Sequence, residues 1–126
     1  MRHLLRYLPA VVVAIVIAVL SLIENPQMPL LETHSDKFWH ALMYVGLAGV
    51  LMCGLLFDRR GRWFHACVAW GLSMGYGGVI ELLQEWCTVS RMGDWYDWYA
   101  DMLGAAIGVA GAYIFFWICT KTGCIK

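Results

Sequence analysis

Four apolar stretches joined by polar connectors predict an all-α polytopic membrane protein, with four transmembrane helices in an antiparallel bundle and both termini cytoplasmic. Composition is the first observation behind this. The 126 residues are 61% hydrophobic and only 14% charged, whereas a soluble domain carries about 25% charged residues. Mean hydropathy is +0.64. The second observation is length: each stretch holds roughly twenty residues, and twenty helical residues rise ~30 Å, the hydrocarbon thickness of a bilayer. The third is the placement of charge. Arg2, Arg6, Arg59, Arg60, Arg62, Lys121 and Lys126 fall on one side of the expected spans with a single acid, Asp58. Glu24, Glu32, Asp36, Glu81, Glu85, Asp94, Asp97 and Asp101 fall on the other, with only Lys37 and Arg91. The positive-inside rule orients the basic side to the cytoplasm, so a bacterial inner (cytoplasmic) membrane location is expected.

Residues 1–126 read as one transmembrane domain with spans near 4–23, 38–57, 63–83 and 96–119. The first span contains an unbroken Val/Ala/Ile/Leu run from Ala10 to Leu20. Arg2 and Arg6 before it give the rival reading of a cleaved signal peptide, but the run is long for one and no clean Ala-x-Ala site follows. Pro26 and Pro29 mark a polar connector. Between the second and third spans, Asp58-Arg-Arg-Gly-Arg62 is a turn short enough to join only neighbouring antiparallel helices. The third span carries Gly71, Gly75, Gly77 and Gly78, and the fourth carries Gly104 and Gly108. Glycine on a membrane helix lets a second backbone approach, so Gly71, Gly75, Gly104 and Gly108 are expected at helix contacts. Trp39, Trp86, Trp95, Tyr96 and Trp98 are expected at the outer interface, with Tyr7, Trp63 and Trp117 at the inner one. The five cysteines include no Cys-x-x-Cys pair, and Cys53 and Cys67 lie in apolar runs, which argues against a disulfide framework or a zinc site. With a formal net charge of zero, no nucleic-acid partner is expected.

The polar residues of the last three spans sit at one end. Asp36, His40 and Tyr44 repeat every four residues and share a helix face, with Lys37 beside them. Glu81 and Gln84 close the third span. Asp94, Asp97 and Asp101 open the fourth, and Gly104 and Gly108 continue their stripe. With Arg91 in the connector, these residues form a candidate binding cluster: Asp36, Lys37, His40, Tyr44, Glu81, Gln84, Arg91, Asp94, Asp97 and Asp101. Taken singly, each is as well read as a solvated helix end or an interhelical pair. Lys37 could neutralise Asp36, and Arg91 could neutralise Asp94. Ionisable groups inside a span cost ~2.5–3.5 kcal/mol at the bilayer centre on insertion scales, which makes Glu81 and Asp101 the members that mark a site.

At these residues the chain resembles the VanZ-like family of small bacterial membrane proteins. The resemblance covers positions 36 to 108 and rests on Asp36-Lys37-x-x-His40-x-x-x-Tyr44, Glu81-x-x-Gln84, the run from Arg91 to Asp97, and Asp101-x-x-Gly104-x-x-x-Gly108. Position 101 is commonly Asn in that pattern. Here it is Asp101, which adds negative charge. The family takes its name from a member associated with resistance to the glycopeptide antibiotic teicoplanin. The resemblance therefore implies a fold and a cell-envelope setting more than a particular reaction, with glycopeptide resistance a property of that member which this chain need not share.

Three classes of function fit these residues. The first is a binding or accessory protein whose outer cluster recognises a lipid-linked envelope headgroup or an envelope protein, with Lys37 and Arg91 on phosphate and carboxylates on sugar hydroxyls. The second is a membrane enzyme acting on an outer-leaflet lipid headgroup. There His40 would be the acid or base, with Glu81, Asp97 or Asp101 orienting it. No metal site is assigned, although one imidazole among carboxylates is compatible with a divalent cation such as Mg²⁺ or Ca²⁺. Cys87 and Ser90 lack an activating arrangement. The third class is a lipid transporter, which needs a polar path that the dry inner halves of the spans do not supply. The sequence does not fix the oligomeric state.

Overall fold

The computed structural model describes residues 4–23, 33–56, 61–89 and 94–124, with the side chains of the second helix described from Lys37 onward. All regular structure among them is helical. One 3-10 turn, Leu4–Tyr7, leads into α1 (Leu8–Leu22), followed by α2 (Thr33–Leu55), α3 (Arg62–Cys87) and α4 (Trp95–Lys121). Counting the initial turn with α1, all four are long and apolar enough to cross a membrane.

Local chemistry explains several of the ends. Pro9 lies in the first turn of α1, where its missing N–H has no helical partner to lose. Asp94 caps α4: its carboxylate accepts from the Tyr96 backbone N–H at 2.9 Å, while Asp97 sits in the first turn, where the helix dipole favours an acid. At the other end Gly123 adopts φ 73°, and the Cys124 N–H reaches back to the Cys119 carbonyl at 3.0 Å. This is the six-to-one bond of a glycine-terminated helix, and Lys121 in the last turn complements the dipole.

Every helix buries one narrow stripe at spacings of three and four. On α1 it is Ala10, Ile17 and Ser21; on α2, His40, Tyr44, Leu47, Ala48 and Met52. On α3 it runs from His65 through Ala69, Ser73 and Gly77 to Glu81 and Gln84. On α4 it is Asp97, Asp101, Gly104, Ala105, Gly108 and Val109. The opposite faces carry exposed Val12, Ile15, Leu72, Val79, Ile107 and Ile114. Three acids, Glu81, Asp97 and Asp101, are buried while many large apolar side chains lie outside, which suits a multi-pass membrane protein better than a water-soluble domain.

The interhelical register follows from named contacts. A Cβ on Gly104 would come within 2.8 Å of the Ala41 carbonyl carbon, and one on Gly108 within 3.0 Å of that of Val45, so residue numbers on α2 and α4 rise together. On α3 and α4 they run in opposite senses: the Trp70 indole donates to the Met102 carbonyl at 3.1 Å and the Trp98 indole to that of Met74 at 3.0 Å. Between α1 and α3, the Tyr76 hydroxyl donates to the Ala14 carbonyl and the Gln84 amide to that of Ser21 at 2.9 Å.

Two expectations, the end of the third helix and the packing of Gly71 and Gly75, are corrected here. The third helix continues four residues past the predicted end at 83, to Cys87, because Glu81 and Gln84 have partners on other helices and need not leave the bundle. The second helix starts at Thr33, ahead of the expected span near 38–57, whose start agrees with the membrane-length stretch Lys37–Leu55. Gly71 and Gly75 face open space and pack no helix, whereas Gly77 and Gly78 on the neighbouring stripe do. The Trp98 indole, expected at the outer interface, donates to the Met74 carbonyl of α3.

Candidate functional site

One end of the bundle brings together Lys37 and His40 of α2, Glu81 of α3, and Asp94, Asp97 and Asp101 at the start of α4. From α2, one helical turn apart, come Lys37 and His40. The Lys37 ammonium lies 3.3 Å from Asp97 Oδ1 and 3.5 Å from Asp94 Oδ2. One turn deeper, His40 Nδ1 faces Asp101 Oδ1 at 3.3 Å, with both side chains at least 96% buried. From α3, Glu81 Oε2 accepts the Asp94 backbone N–H at 2.8 Å, which ties the start of α4 to the end of α3. His40, Glu81 and Asp97 each direct one ligating atom to within 4.8 Å of the other two.

The floor of this cluster is small and tight. A Cβ at Gly77 would fall 2.9 Å from Asp101 Oδ2 and 3.3 Å from the Tyr44 ring. Gly77 therefore makes the space that the aspartate and the tyrosine share. Tyr44 is fully buried, with its ring 6.4 Å from that of Tyr76. Among the described residues, the Tyr44 hydroxyl, Glu81 Oε1 and Asp101 Oδ2 are buried without a hydrogen-bond partner. Unsatisfied buried polar atoms cost ~1–3 kcal/mol each, and a bound water, an ion or a ligand group would satisfy them.

The electrostatic balance is acidic. Among the described residues, four carboxyl groups (Glu81, Asp94, Asp97 and Asp101) meet two basic groups, Lys37 and His40, a formal excess of acids. In a span end, where water screens weakly, such an excess needs protons or a cation to offset it. Chemically the arrangement can exchange protons through the His40–Asp101 pair, accept hydrogen bonds from hydroxyls, or ligate a cation.

The expected cluster is thus largely assembled: Lys37, His40, Tyr44, Glu81, Asp94, Asp97 and Asp101 come together. Their pairings differ from those expected. Lys37 pairs with Asp94 and Asp97 across 57 and 60 residues of chain, and Asp94 is a cap rather than a member of the helical stripe. The Gln84 amide holds α1 through Ser21. The Asp36 side chain and Arg91 lie outside the described residues. Sequence reasoning missed Gly77 as the floor of the site. The signal was its place four residues before Glu81 and seven before Gln84, on their face of the helix.

Comparison with known proteins gives no relative for this arrangement: no protein-family model, no curated protein and no solved structure matches the chain.

Proposed function

We propose that this chain is a VanZ-like cell-envelope protein of the bacterial cytoplasmic membrane, an antiparallel four-span bundle with cytoplasmic termini. Its polar site would lie at the extracytoplasmic ends of the last three spans and bind the headgroup of an envelope lipid or lipid-linked precursor. One observation carries the reading: His40, Glu81, Asp97 and Asp101, from three helices, are buried together at one end of the bundle. Structural pairing alone does not call for that concentration, because apolar residues of similar volume hold helices together at least as well as buried ion pairs. A site at the ends of the spans would stand level with headgroups, and carboxylates with Lys37 provide acceptors for hydroxyls and one cation for phosphate.

The buried His40–Asp101 pair favours a second reading, an enzyme that performs acid–base chemistry on the same headgroup. Both readings use the same residues, and headgroup capture is common to them.

Native mass spectrometry of protein purified gently from its own membrane tests the proposal. The wild type should retain a polyprenyl phosphate or phospholipid that Asp97→Asn and Glu81→Gln lose at normal yield. The double variant should be hardly worse than either single one, because members of one site act as a unit. Identical lipid adducts on all four proteins would reject the site.

A further inference from the structure

Three side chains from three helices present donors that converge: His40 of α2, Glu81 of α3 and Asp97 of α4, each with a ligating atom within 4.8 Å of the others. Donors around a shared ion at ~2.1 Å stand ~3–4 Å apart, so an ion would draw these atoms in by about 1 Å or less. We propose that they form a binding site for a first-row divalent cation, Mn²⁺ or Zn²⁺ in class, with three protein ligands and the other coordination positions open.

Each ligand is held by a partner from another helix or its cap. Asp101 faces His40 Nδ1 at 3.3 Å, which in the proposed site fixes the tautomer that coordinates through Nε2. The Asp94 backbone N–H binds Glu81 Oε2 at 2.8 Å. The Lys37 ammonium stands 3.3 Å from Asp97 Oδ1. Metal ligands are characteristically supported in this way, with a carboxylate behind the histidine. A second and independent observation is Glu81 Oε1. It belongs to a side chain of a residue only 4% exposed, and it is buried without a hydrogen-bond partner among the described residues. In the proposed site a metal bond satisfies that oxygen, and two positive charges offset the formal excess of carboxyl over basic groups among the described residues.

One imidazole nitrogen with two carboxylate oxygens suits Mn²⁺ or Zn²⁺ better than thiolate-seeking ions, and the open positions leave room for water or a phosphate oxygen. The phosphate role rests on the headgroup reading above; cation binding does not. It also adds a second cationic centre beside Lys37 for an anionic headgroup.

The test uses full-length protein in phosphatidylcholine nanodiscs, stripped of metal and titrated with Mn²⁺ by electron paramagnetic resonance after subtraction of empty discs. The expected result is one Mn²⁺ per chain, displaced by Zn²⁺, with nitrogen hyperfine coupling that disappears in His40→Gln. Glu81→Gln and Asp97→Asn should weaken binding at least tenfold, and Asp101→Asn about 10–100-fold, the range for a supporting residue. Glu85→Gln, one turn along at an exposed position, should bind as the wild type does. Absence of a bound equivalent of Mn²⁺ or Zn²⁺ on the wild type would overturn the proposal, as would bound Mn²⁺ without nitrogen coupling. If lipid is retained in the presence of EDTA and no metal binds, the cation inference falls and headgroup capture stands. If metal binds and no lipid is retained, the reverse holds.

Discussion

Substituting Gly104 with alanine should separate α2 from α4 and, with them, the two halves of the candidate site. The added Cβ would overlap the Ala41 carbonyl oxygen and lie 2.8 Å from the carbonyl carbon and 2.9 Å from the Cα. Carbon atoms pack at ~3.5–4.0 Å, so the backbones must move apart by roughly 1 Å. All three atoms belong to backbone, so no side-chain rotation relieves the overlap. Overpacking of this kind costs ~1–3 kcal/mol, against a gain of ~1 kcal/mol from the better helix propensity of alanine. The net loss should be up to ~2 kcal/mol. Gly104 lies three residues beyond Asp101, and Ala41 is next to His40, so the same movement should lengthen the 3.3 Å His40–Asp101 contact beyond pairing distance. The matched controls are Gly71→Ala and Gly75→Ala, where the new Cβ meets nothing within 4 Å. These should be neutral or stabilising by up to ~1 kcal/mol. Reversible unfolding in mixed micelles, with rising mole fraction of denaturing detergent, measures all three. If Gly104→Ala proves as stable as its controls and keeps its lipid and metal behaviour, the close approach of α2 and α4 is wrong.

Three further outcomes are expected. Gly77→Ala should displace Asp101 or Tyr44, since its Cβ would stand 2.9 Å from Asp101 Oδ2; lipid retention in the mass spectrometer should fall while yield holds, and unchanged retention would remove Gly77 from the site. Tyr44→Phe deletes a buried hydroxyl that lacks a partner among the described residues, so stability should stay level or rise by ~1–3 kcal/mol; a loss above about 1 kcal/mol in the same unfolding assay would show that the hydroxyl is bonded. Cysteine labelling in intact cells should find Gly61 and Lys126 cytoplasmic and Met28 and Gly93 outside, because Arg59, Arg60 and Arg62 set the orientation; an external Gly61 would reject the proposed topology.

The helices were legible in the sequence because composition and length act locally. About twenty consecutive apolar residues commit a segment to helix in hydrocarbon, whatever its neighbours do. The concentration of polar residues at one end was legible for a related reason: His40, Glu81, Asp97 and Asp101 stand near the ends of apolar runs, and their order along each run fixes their height. The partner of each residue was not legible. Lys37 has Asp36 beside it in sequence, yet it faces Asp97 and Asp94, because the relative rotation of α2 and α4 is set where Ala41 and Val45 lie against Gly104 and Gly108. Asp94 has helical spacing to Asp97, yet it caps the helix, since its backbone N–H is taken by Glu81 on another element. The glycines show the same division. Gly71, Gly75, Gly104 and Gly108 share one spacing in sequence, but only the second pair meets a backbone. Spacing along a chain determines which residues share a face. Which face meets which neighbour is a property of the packed helices together, and the tertiary structure alone decides it.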